Sequence, residues 1–348
     1  MIFDLLLTAD AAWLGERTLA GPTAVGVRGS EIGWIGPSRD APSAVTRTHV
    51  DGVLLPGLTD HHVHAAMIRP EQLLAAGVTT VLDLGWAPDE IWPLVDRARS
   101  DPALPHIRAA GPFLTAPGGY PSRQSWAPPR VAIEVEDPVS AIRAVESLVA
   151  RRPATIKVTL NSEAGPVVDD ATLNAVVGAA RAHGIPVTAH TQGHGQTRRA
   201  YLAGVRVLAH TPWTEELDDS LVADLARDTT IVSTIDIHGW GEHTRDRRTA
   251  LHNLRRFHSA GGTVRYGTDL GNGPLPIGVN IREIAALTDA GLSPVEILRA
   301  ITGAPLRPGA TADVSVVPAD PTADPAVLGQ AKAVLKAGRP VPARADGD

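Results

Sequence analysis

The sequence contains no cysteine. Disulfide bonds and thiolate metal ligands are therefore both excluded, so any metal ion must be held by nitrogen and oxygen atoms. Lysine is also scarce, because only Lys157, Lys332 and Lys336 occur among the 32 basic residues. Since the chain uses arginine almost everywhere that a cation is needed, a lysine inside an apolar strand requires a specific explanation.

Long apolar runs and an excess of positive charge are absent as well. No stretch approaches the roughly 20 apolar residues that span a bilayer, and the first residues, with Asp4 inside an apolar run, favour a strand over a signal peptide. The net charge of −6 disfavours nucleic-acid binding, because no basic stripe is available to neutralise phosphates. We therefore expect a cytoplasmic protein without membrane or nucleic-acid partners, and the oligomeric state is open, with a homo-oligomer as one alternative.

The order of apolar and amphipathic segments predicts the fold. Short strand patterns fill the first part of the chain, and from about residue 53 apolar strands alternate with longer helical patterns, which is typical of a (β/α)8 barrel of about 250 residues. The predicted barrel strands are Val53–Thr59, Val78–Leu84, Ile107–Leu114, Thr155–Leu160, Pro186–His190, Arg206–His210, Thr230–Ile235 and Thr263–Gly267. We expect an α/β protein with a TIM-like barrel at 56–308 and a small β-sandwich domain built from 1–55 and 309–348.

The clearest local pattern is Asp60-His61-His62-Val63-His64, where the first predicted barrel strand ends. Side chains two residues apart on a strand point to the same side, so His62 and His64 face one way and His61 faces the other. Two imidazoles at the C-terminal mouth of a barrel strand are well placed to share a metal ion. A polar loop that merely contains three histidines is the alternative interpretation.

Four more polar residues lie on later strands or directly after them. His190 and His210 each end an apolar strand, Asp269 follows another, and Lys157 has apolar neighbours on both sides within a fourth. Because the active site of a TIM barrel lies at the C-terminal ends of its strands, we expect these residues to meet there. A single strand-terminal histidine is more often structural, but coincidence explains the whole set poorly.

Lysine acts as a metal ligand only after a chemical change, because an ammonium group cannot bind a cation. Burial disfavours the charged form and so lowers the pKa of a lysine. The neutral amine then adds carbon dioxide to form a carbamate, an oxygen ligand that can bridge two metal ions, whereas arginine cannot react in this way. Lys157 fits this role as the sole lysine of the predicted barrel. Pairing with a carboxylate inside the barrel is the alternative.

Taken together, these patterns resemble the amidohydrolase superfamily, in the branch of prolidase-like and imidazolonepropionase-like enzymes. The resemblance covers nearly the whole chain, and the combination is specific although each piece alone is not. The sequence departs from the family pattern at Gly118-Gly119-Tyr120, where Gly-Gly-His is common, and at 302–308, which is shorter than usual. The matching segments are 56–64, 76–85, 156–158, 183–190, 203–210, 266–269 and 309–314.

The resemblance implies a binuclear metal centre. Asp269 joins His62 and His64 at the more buried ion, the other two histidines hold a second ion, and carboxylated Lys157 bridges the pair. Zinc is the default for such ligands, with manganese as an alternative. A hydroxide between the ions attacks a polarised carbonyl, and Asp269 acts as general base and then acid, which implies hydrolysis of a C–N bond in an amide or cyclic amide. The implied metal ligands are His62, His64, Lys157, His190, His210 and Asp269.

Residues near the predicted mouth are candidates for contact with a small-molecule substrate. His238, just past the seventh strand, is predicted to be catalytic by stabilising an oxyanion or orienting a carbonyl, with a solvated loop histidine as the alternative. Arg123 is a candidate clamp for a carboxylate, although one of 29 arginines is more often a surface residue. Trp213 and Trp240 are interpreted as pocket walls or as ordinary loop packing. The predicted substrate contacts are Tyr120, Arg123, His194, Trp213 and Trp240.

Three other functions compete with amide hydrolysis. A mononuclear deaminase of the superfamily usually carries a glutamate close to the fifth-strand or sixth-strand histidine, and here Glu215 and Glu216 follow His210 only at a distance of five and six residues. Lactone or phosphoester hydrolysis uses the same metal ligands. A catalytically silent binding protein is expected to lose ligands, whereas this chain retains all of them.

Overall fold

The structure is a computed structural model that describes residues 2–342. Its N-terminal part is a set of short strands, with a 3-10 helix at Ser38–Asp40. One sheet has the order β5-β4-β1-β6, in which β1 and β4 are antiparallel and β6 adds to β1 in parallel. The strands are β1 (Phe3–Ala9), β2 (Ala11–Trp13), β3 (Thr18–Leu19), β4 (Thr23–Arg28), β5 (Glu31–Pro37), β6 (Ala44–His49) and β7 (Val53–Pro56).

The central part of the chain alternates strands with helices, as the sequence pattern predicts. The strands are β8 (Leu58–Val63), β9 (Val78–Asp83), β10 (His106–Ala109), β11 (Phe113–Thr115), β12 (Ala132–Glu134), β13 (Ile156–Asn161), β14 (Val187–Gln192), β15 (Val207–Leu208), β16 (Thr230–Val232) and β17 (Thr263–Arg265). The α-helices are α1 (Pro70–Ala75), α2 (Pro88–Ala98), α3 (Pro138–Val149), α4 (Asp170–Ala182), α5 (Gln196–Leu202), α6 (Asp219–Asp228), α7 (Arg245–Ser259), α8 (Ile281–Asp289) and α9 (Pro294–Ile301). Further 3-10 helices lie at Ala65–Met67, Asp236–His238 and Pro325–Gly329.

The central strands form two parallel sheets that hydrogen bonds connect. One has the order β10-β9-β8 and the other the order β12-β11-β13-β14-β15-β16-β17. At one junction, His61 N–H donates to Tyr266 O at 3.0 Å and His64 N–H donates to Leu270 O at 2.8 Å. Near the other, Ala154 N–H donates to the carbonyl of Ala109, the last residue of β10, at 2.8 Å. The chain therefore has a TIM-barrel-like α/β fold, with β8 beside the end of β17.

Two predicted strands are each divided in the structure. Predicted strand Val53–Thr59 is in fact β7 and β8, which belong to different sheets and meet at Gly57. A Cβ atom at Gly57 would lie 2.1 Å from Thr79 Oγ1, so only glycine allows this close crossing. Ile107–Leu114 is likewise divided into β10 and β11, with Gly111 between them in the left-handed region at φ 81°.

The last strands return to the N-terminal part, as predicted. Strands β18 (Val314–Val317), β19 (Ala333–Lys336) and β20 (Arg339–Pro340) follow the barrel, and β18 pairs antiparallel with β7. The resulting sheet has the order β20-β19-β18-β7-β2-β3. A second apolar core, separate from that of the barrel, contains side chains of both small-domain sheets, among them Leu7, Val25, Leu54, Val316 and Leu335.

The helices bury one apolar face each, and α3, α4, α6, α7, α8 and α9 begin at a residue whose side chain accepts a backbone N–H of the first turn. In α3, Asp137 accepts from Ser140 N–H while Ser140 returns a bond to the Asp137 backbone, and α9 has the same capping box between Ser293 and Glu296. The buried face of α9 includes Ile297, which packs in the barrel core. Among the helices of residues 2–342, none has the length and apolar character that a bilayer crossing requires.

Candidate metal centre

A cavity of about 410 Å³ lies where the central strands end, and the six side chains predicted as metal ligands all line it. His62 is in β8 and His190 in β14, while His64, His210 and Asp269 directly follow strands or lie in the next loop. Lys157 in β13 is only 1% exposed and faces this cavity rather than the outer helices. The chain thus brings together residues more than 200 positions apart, as the barrel prediction requires. The six residues are His62, His64, Lys157, His190, His210 and Asp269.

Asp269 lies at the centre of one half of the cluster. The Nε2 atoms of His62 and His64 each lie 3.0 Å from Asp269 Oδ1. Ligand atoms of His62, His210 and Asp269 all lie within 4.8 Å of one another, and all three residues are buried. Two atoms bound to one zinc ion at about 2.1 Å are roughly 3.0 to 3.4 Å apart. The 3.0 Å between each Nε2 of His62 and His64 and Asp269 Oδ1 lies in this range.

The outer nitrogens of these two rings are held by backbone carbonyls. His62 Nδ1 lies 2.8 Å from Ala209 O, and His64 Nδ1 lies 2.9 Å from Gly85 O. A carbonyl can only accept, so each Nδ1 donates, and in a neutral ring Nε2 then carries a lone pair. Both lone pairs face a carboxylate oxygen, and within residues 2–342 that buried Oδ1 has no hydrogen-bond partner. A cation between these three acceptors resolves the arrangement, so the residues fit a metal ion.

The second half of the cluster contains His190 and His210, whose ring centroids are 4.8 Å apart at nearly perpendicular planes. His210 Nδ1 lies 3.0 Å from Thr234 Oγ1, so its Nε2 is directed to the cluster by the same kind of outer contact. His190 is oriented differently, because its Nε2–H donates to Gln192 Oε1 at 3.3 Å and the lone pair is left on Nδ1. Each ring therefore has one anchored nitrogen and one that is available as a ligand.

Burial favours the uncharged forms of three of the histidines and of Lys157, whereas for His64 the adjacent Asp269 carboxylate outweighs burial and raises the pKa. Burial lowers the pKa of His62 to about 4, that of His190 to about 3, and that of His210 well below its ordinary value. It also lowers the pKa of Lys157 to about 7, although Asp269 and Asp83 act in the opposite direction. Neutral imidazoles and a neutral amine are the forms that bind a metal ion or react with carbon dioxide.

The backbone of Asp269 is itself unusual. Its φ of 60° lies in the left-handed region, which a non-glycine residue adopts only when its surroundings hold it there. Its N–H donates to His62 O at 2.7 Å, and Asn272 Nδ2 donates to its Oδ2 at 2.9 Å. These contacts fix one carboxylate oxygen and turn the other towards His62 and His64.

Two buried acids that sequence reasoning assigned no role hold the ligand segments together. Asp60 accepts from His62 N–H at 3.0 Å and from Thr268 N–H and Oγ1–H, so it joins β8 to the residue before Asp269. Asp83 accepts from Ala65 N–H at 2.7 Å and from Gly85 N–H at 3.0 Å, on either side of His64. Asp83 ends the more apolar strand β9, which is a sequence signal for it, whereas Asp60 lies among the polar residues of β8 and has no such signal.

Four of the predicted mouth residues line the cavity, namely Tyr120, Trp213, His238 and Trp240. His238 ends a 3-10 helix and stacks on Trp213 at a centroid distance of 4.4 Å. Its Nε2 is buried without a partner among residues 2–342, and burial lowers its pKa to about 4. His238 is therefore a neutral ring with one nitrogen free for a substrate, not a solvated loop histidine.

The two other predicted contacts lie elsewhere. The His194 side chain is 96% exposed and its Nδ1 lies 2.7 Å from Glu215 Oε2, outside the cavity. Arg123 packs against Gly118, and it does not line the cavity either. Both were expected at the mouth because they lie in loops. The spacing of residues along the sequence does not determine where a loop lies in space, and the prediction failed for this reason. The cavity instead includes aromatic residues that sequence reasoning missed, namely Trp86, Phe113 and Trp126.

Comparison with known proteins agrees with this geometry. The model of the amidohydrolase family matches residues 53–338. The chain belongs to the amidohydrolase family. Within this family, an uncharacterized protein of Mycobacterium tuberculosis is 27% identical over 350 residues, which cover 88% of this chain and 90% of that protein.

Solved structures of other proteins have the same fold. A Xaa-Pro dipeptidase with bound methionine in its active site superposes with a TM-score of 0.80 at 21% identity, over 97% of this chain and 99% of that one. An ochratoxinase of A. niger gives a TM-score of 0.81 at 19% identity, over 97% and 95%. The predicted resemblance to the prolidase-like branch is thus confirmed at the level of the fold.

Proposed function

We propose that this protein is a metal-dependent hydrolase that cleaves the C–N bond of an amide or cyclic amide in a small molecule. One observation carries the proposal: two imidazole Nε2 atoms, each with its other nitrogen anchored, lie 3.0 Å from a buried carboxylate oxygen for which the described residues provide no hydrogen bond. Four imidazoles, a carboxylate and a buried lysine form a nitrogen and oxygen donor set without sulfur, which suits zinc or manganese.

The donors divide into two ion sites. His62, His64 and Asp269 would hold the more buried ion, and His190 and His210 would hold the other. Lys157, carboxylated on its amine, is proposed to bridge them. When bound, the ions supply a hydroxide nucleophile at neutral pH and polarise the carbonyl that is attacked. The low pKa of the buried histidines and the lowered pKa of Lys157 support this assignment, because each group reaches its ligating form near pH 7.

Asp269 and His238 are proposed to act on the substrate. Burial raises the pKa of Asp269, but positive charge on His62 and His64 outweighs burial and holds that pKa well below its ordinary value. A metal ion bound in place of those protons would supply the same positive charge. The carboxylate is therefore ionised, and Asp269 would serve as the general base that takes up a proton during attack and as the general acid that returns it to the leaving nitrogen. His238 presents its unpartnered Nε2 to the cavity, where it can hydrogen-bond to the carbonyl oxygen as negative charge develops on it.

The structure offers less support for deamination. Glu215, the candidate proton carrier of that reaction, accepts from Gly195 N–H at 2.9 Å and contacts His194, and it does not line the cavity. Lactone hydrolysis uses the same donors as amide hydrolysis, so it is the alternative that the substrate screen must separate. A catalytically silent binding protein would not need a complete set of metal-binding side chains, and this chain has the complete set.

The domain organisation is part of the same proposal. We propose that the two parallel sheets close into one (β/α)8 barrel at 56–308, and that residues 1–55 and 309–348 form one β-sandwich. Hydrogen bonds across both barrel junctions and the apolar core that the two small-domain sheets share support this division. Residues 343–348 lie outside the described part of the chain.

A hydrolysis screen of the metal-loaded protein tests the function. Cyclic amides, N-acyl amino acids, dipeptides and lactones are offered, and released amine, acid or ammonia is measured before and after treatment with a chelator. We expect amine release that the chelator abolishes and His190→Ala removes. His194→Ala is the matched control, because this exposed histidine lies only four positions away and outside the cavity. Release of ammonia, or activity that resists both the chelator and His190→Ala, would refute the proposal.

A further inference from the structure

The cavity concentrates the aromatic residues of a chain that has few of them. Only 4% of the residues are Phe, Trp or Tyr, 13 in all when the 7 Trp, 3 Tyr and 3 Phe are added. Nearly half of these line the single cavity that holds the proposed metal ligands. The cavity aromatics are Trp86, Phe113, Tyr120, Trp126, Trp213 and Trp240.

These rings form walls that lead outward from the ligand cluster. On one side, Tyr120 stacks on the His190 ring at 5.3 Å and contacts the edge of Trp126 at 6.1 Å. Trp126 in turn lies nearly parallel to Trp86, with an angle of 10° between the planes. On the other side, Trp213 contacts both His190 and His210. A group bound next to the cluster would therefore meet aromatic faces and edges.

The outer rim of the cavity is apolar and exposed. Trp126 is 45% exposed, Trp240 is 46% exposed and Met67 is 43% exposed. Gly273 makes room for Trp240, since a Cβ atom there would lie 2.6 Å from the indole Nε1. Large apolar side chains grouped at the mouth of a cavity mark a surface that a ligand covers.

Apart from the proposed metal ions, permanent positive charge is missing from this lining. Among the described residues that line the cavity, no arginine occurs and Lys157 is the sole lysine. The amide of Gln192 is already bonded at both ends, to Asn161 and to Glu163, so it is not free for a substrate. Glu163 adds negative charge behind it. A substrate carboxylate placed beyond the ligand cluster would meet aromatic rings rather than a guanidinium.

From these contacts we propose that the site selects an uncharged substrate in which an aromatic or other flat apolar group flanks the amide carbonyl, and that it rejects substrates bearing a carboxylate. This inference rests on the proposed function, because it assigns the substrate class of the same site. It excludes free dipeptides and N-acyl amino acids from the candidate substrates, because their carboxylate has no cationic side chain to pair with in the cavity lining.

Matched substrates test the selection. The metal-loaded protein is given acetanilide, 4-acetamidobenzoate and 4-acetamidobenzamide, the last being a neutral match in size for the acid. We expect kcat/KM for both neutral compounds to exceed that for the carboxylate on the order of 100-fold, the cost of a buried charge without a partner. Equal values, or a preference for the acid, would overturn the inference even though they would support hydrolysis.

Binding separates the two proposals if turnover fails. Acetophenone and 4-acetylbenzoate are ketone analogues without a C–N bond to cleave, and the cavity tryptophans report their binding by fluorescence quenching. Tighter binding of the neutral ketone without hydrolysis of any amide would uphold the selection and refute the proposed function. Absence of binding by the neutral ketone, or tighter binding of the acid, would refute the selection.

Variants at the rim give a second readout. Trp126→Ala is expected to raise KM for acetanilide about tenfold through lost ring contacts, whereas Trp126→Arg is expected to improve kcat/KM for 4-acetamidobenzoate relative to acetanilide. Trp34→Ala is the control, because Trp34 lies in β5 of the small β domain, away from the cavity. If Trp34→Ala and Trp126→Ala change KM equally, the rim does not contact the substrate.

Discussion

Replacing Asp60 with alanine removes the acceptor of three buried hydrogen bonds. His62 N–H and Thr268 N–H donate to Oδ1 at 3.0 and 3.1 Å, and the Thr268 hydroxyl donates to Oδ2 at 2.6 Å. Asp60 is fully buried, so water cannot replace it. Each buried donor left without a partner costs about 1 to 3 kcal/mol, so Asp60→Ala is expected to lower the free energy of unfolding by about 3 kcal/mol or more.

Asp60→Asn is the matched variant. The amide oxygen can accept from both backbone N–H groups, and the Thr268 hydroxyl can reverse its role and accept from the amide nitrogen. The expected loss is about 1 kcal/mol. Both values come from urea unfolding at pH 6, followed by far-ultraviolet circular dichroism and intrinsic fluorescence. Equal losses for alanine and asparagine would show that the side chain does not act as an acceptor for these donors.

The free energies of unfolding of the wild type and Asp60→Asn are expected to depend differently on pH. Burial raises the pKa of Asp60 to about 7 from an unfolded value near 3.8. A raised folded pKa contributes stability at low pH that is lost as the pH increases through about 7. Asparagine cannot ionise, so its stability does not change with this titration. The difference in the free energy of unfolding between the wild type and Asp60→Asn is therefore expected to shrink between roughly pH 5 and pH 8. A deficit that grows over this range would contradict the assigned direction.

Three further substitutions test other parts of the structure. Lys157→Ala is expected to abolish turnover and reduce bound metal, with partial recovery of activity in bicarbonate or a short-chain acid; unchanged metal content would exclude a bridging role. Asp269→Asn is expected to retain the circular dichroism spectrum and lose about 100-fold or more in kcat, as for removal of a general base, and surviving turnover would end that assignment. Glu283 accepts from Ile235 N–H and Asp236 N–H through separate oxygens. In Glu283→Gln the side-chain amide group replaces one of these oxygens, so a donor faces a backbone N–H donor and one hydrogen bond is lost. The substitution is expected to cost about 1 to 3 kcal/mol in urea unfolding, and a smaller loss than for Asp60→Asn would contradict this.

The sequence predicted the TIM-barrel-like α/β fold and the polar side chains that line one cavity, because both follow from periodic patterns. Strands such as β13 and β14 are apolar runs with polar residues at defined positions, and the barrel carries those positions to one rim. Lys157 is an example, because a lysine is rare in this arginine-rich chain and therefore stands out in the sequence. The strands at both ends of the chain were also recognisable, because turn residues separate them, and β18 pairs with β7 in the structure.

Features that depend on the path of the backbone were not predictable in the same way. An apolar run continues through Gly57, so nothing in its periodicity shows that β7 and β8 belong to different sheets. The distribution of loop residues in space was also beyond sequence spacing. Trp86 and Trp126 reach the cavity from separate loops, whereas Arg123 and His194, predicted at the mouth for their chemistry, lie outside it.

The metal content of the purified protein tests the central claim most directly. Metal-replete protein, freed of loosely bound ions by gel filtration, is analysed by inductively coupled plasma mass spectrometry against the chain concentration. Two divalent ions per chain are expected, about what a bridged binuclear site holds, and carbon-13 NMR after growth in labelled bicarbonate is expected to show one carbamate. One ion or none under these conditions, together with an unmodified Lys157, would contradict the two-ion centre.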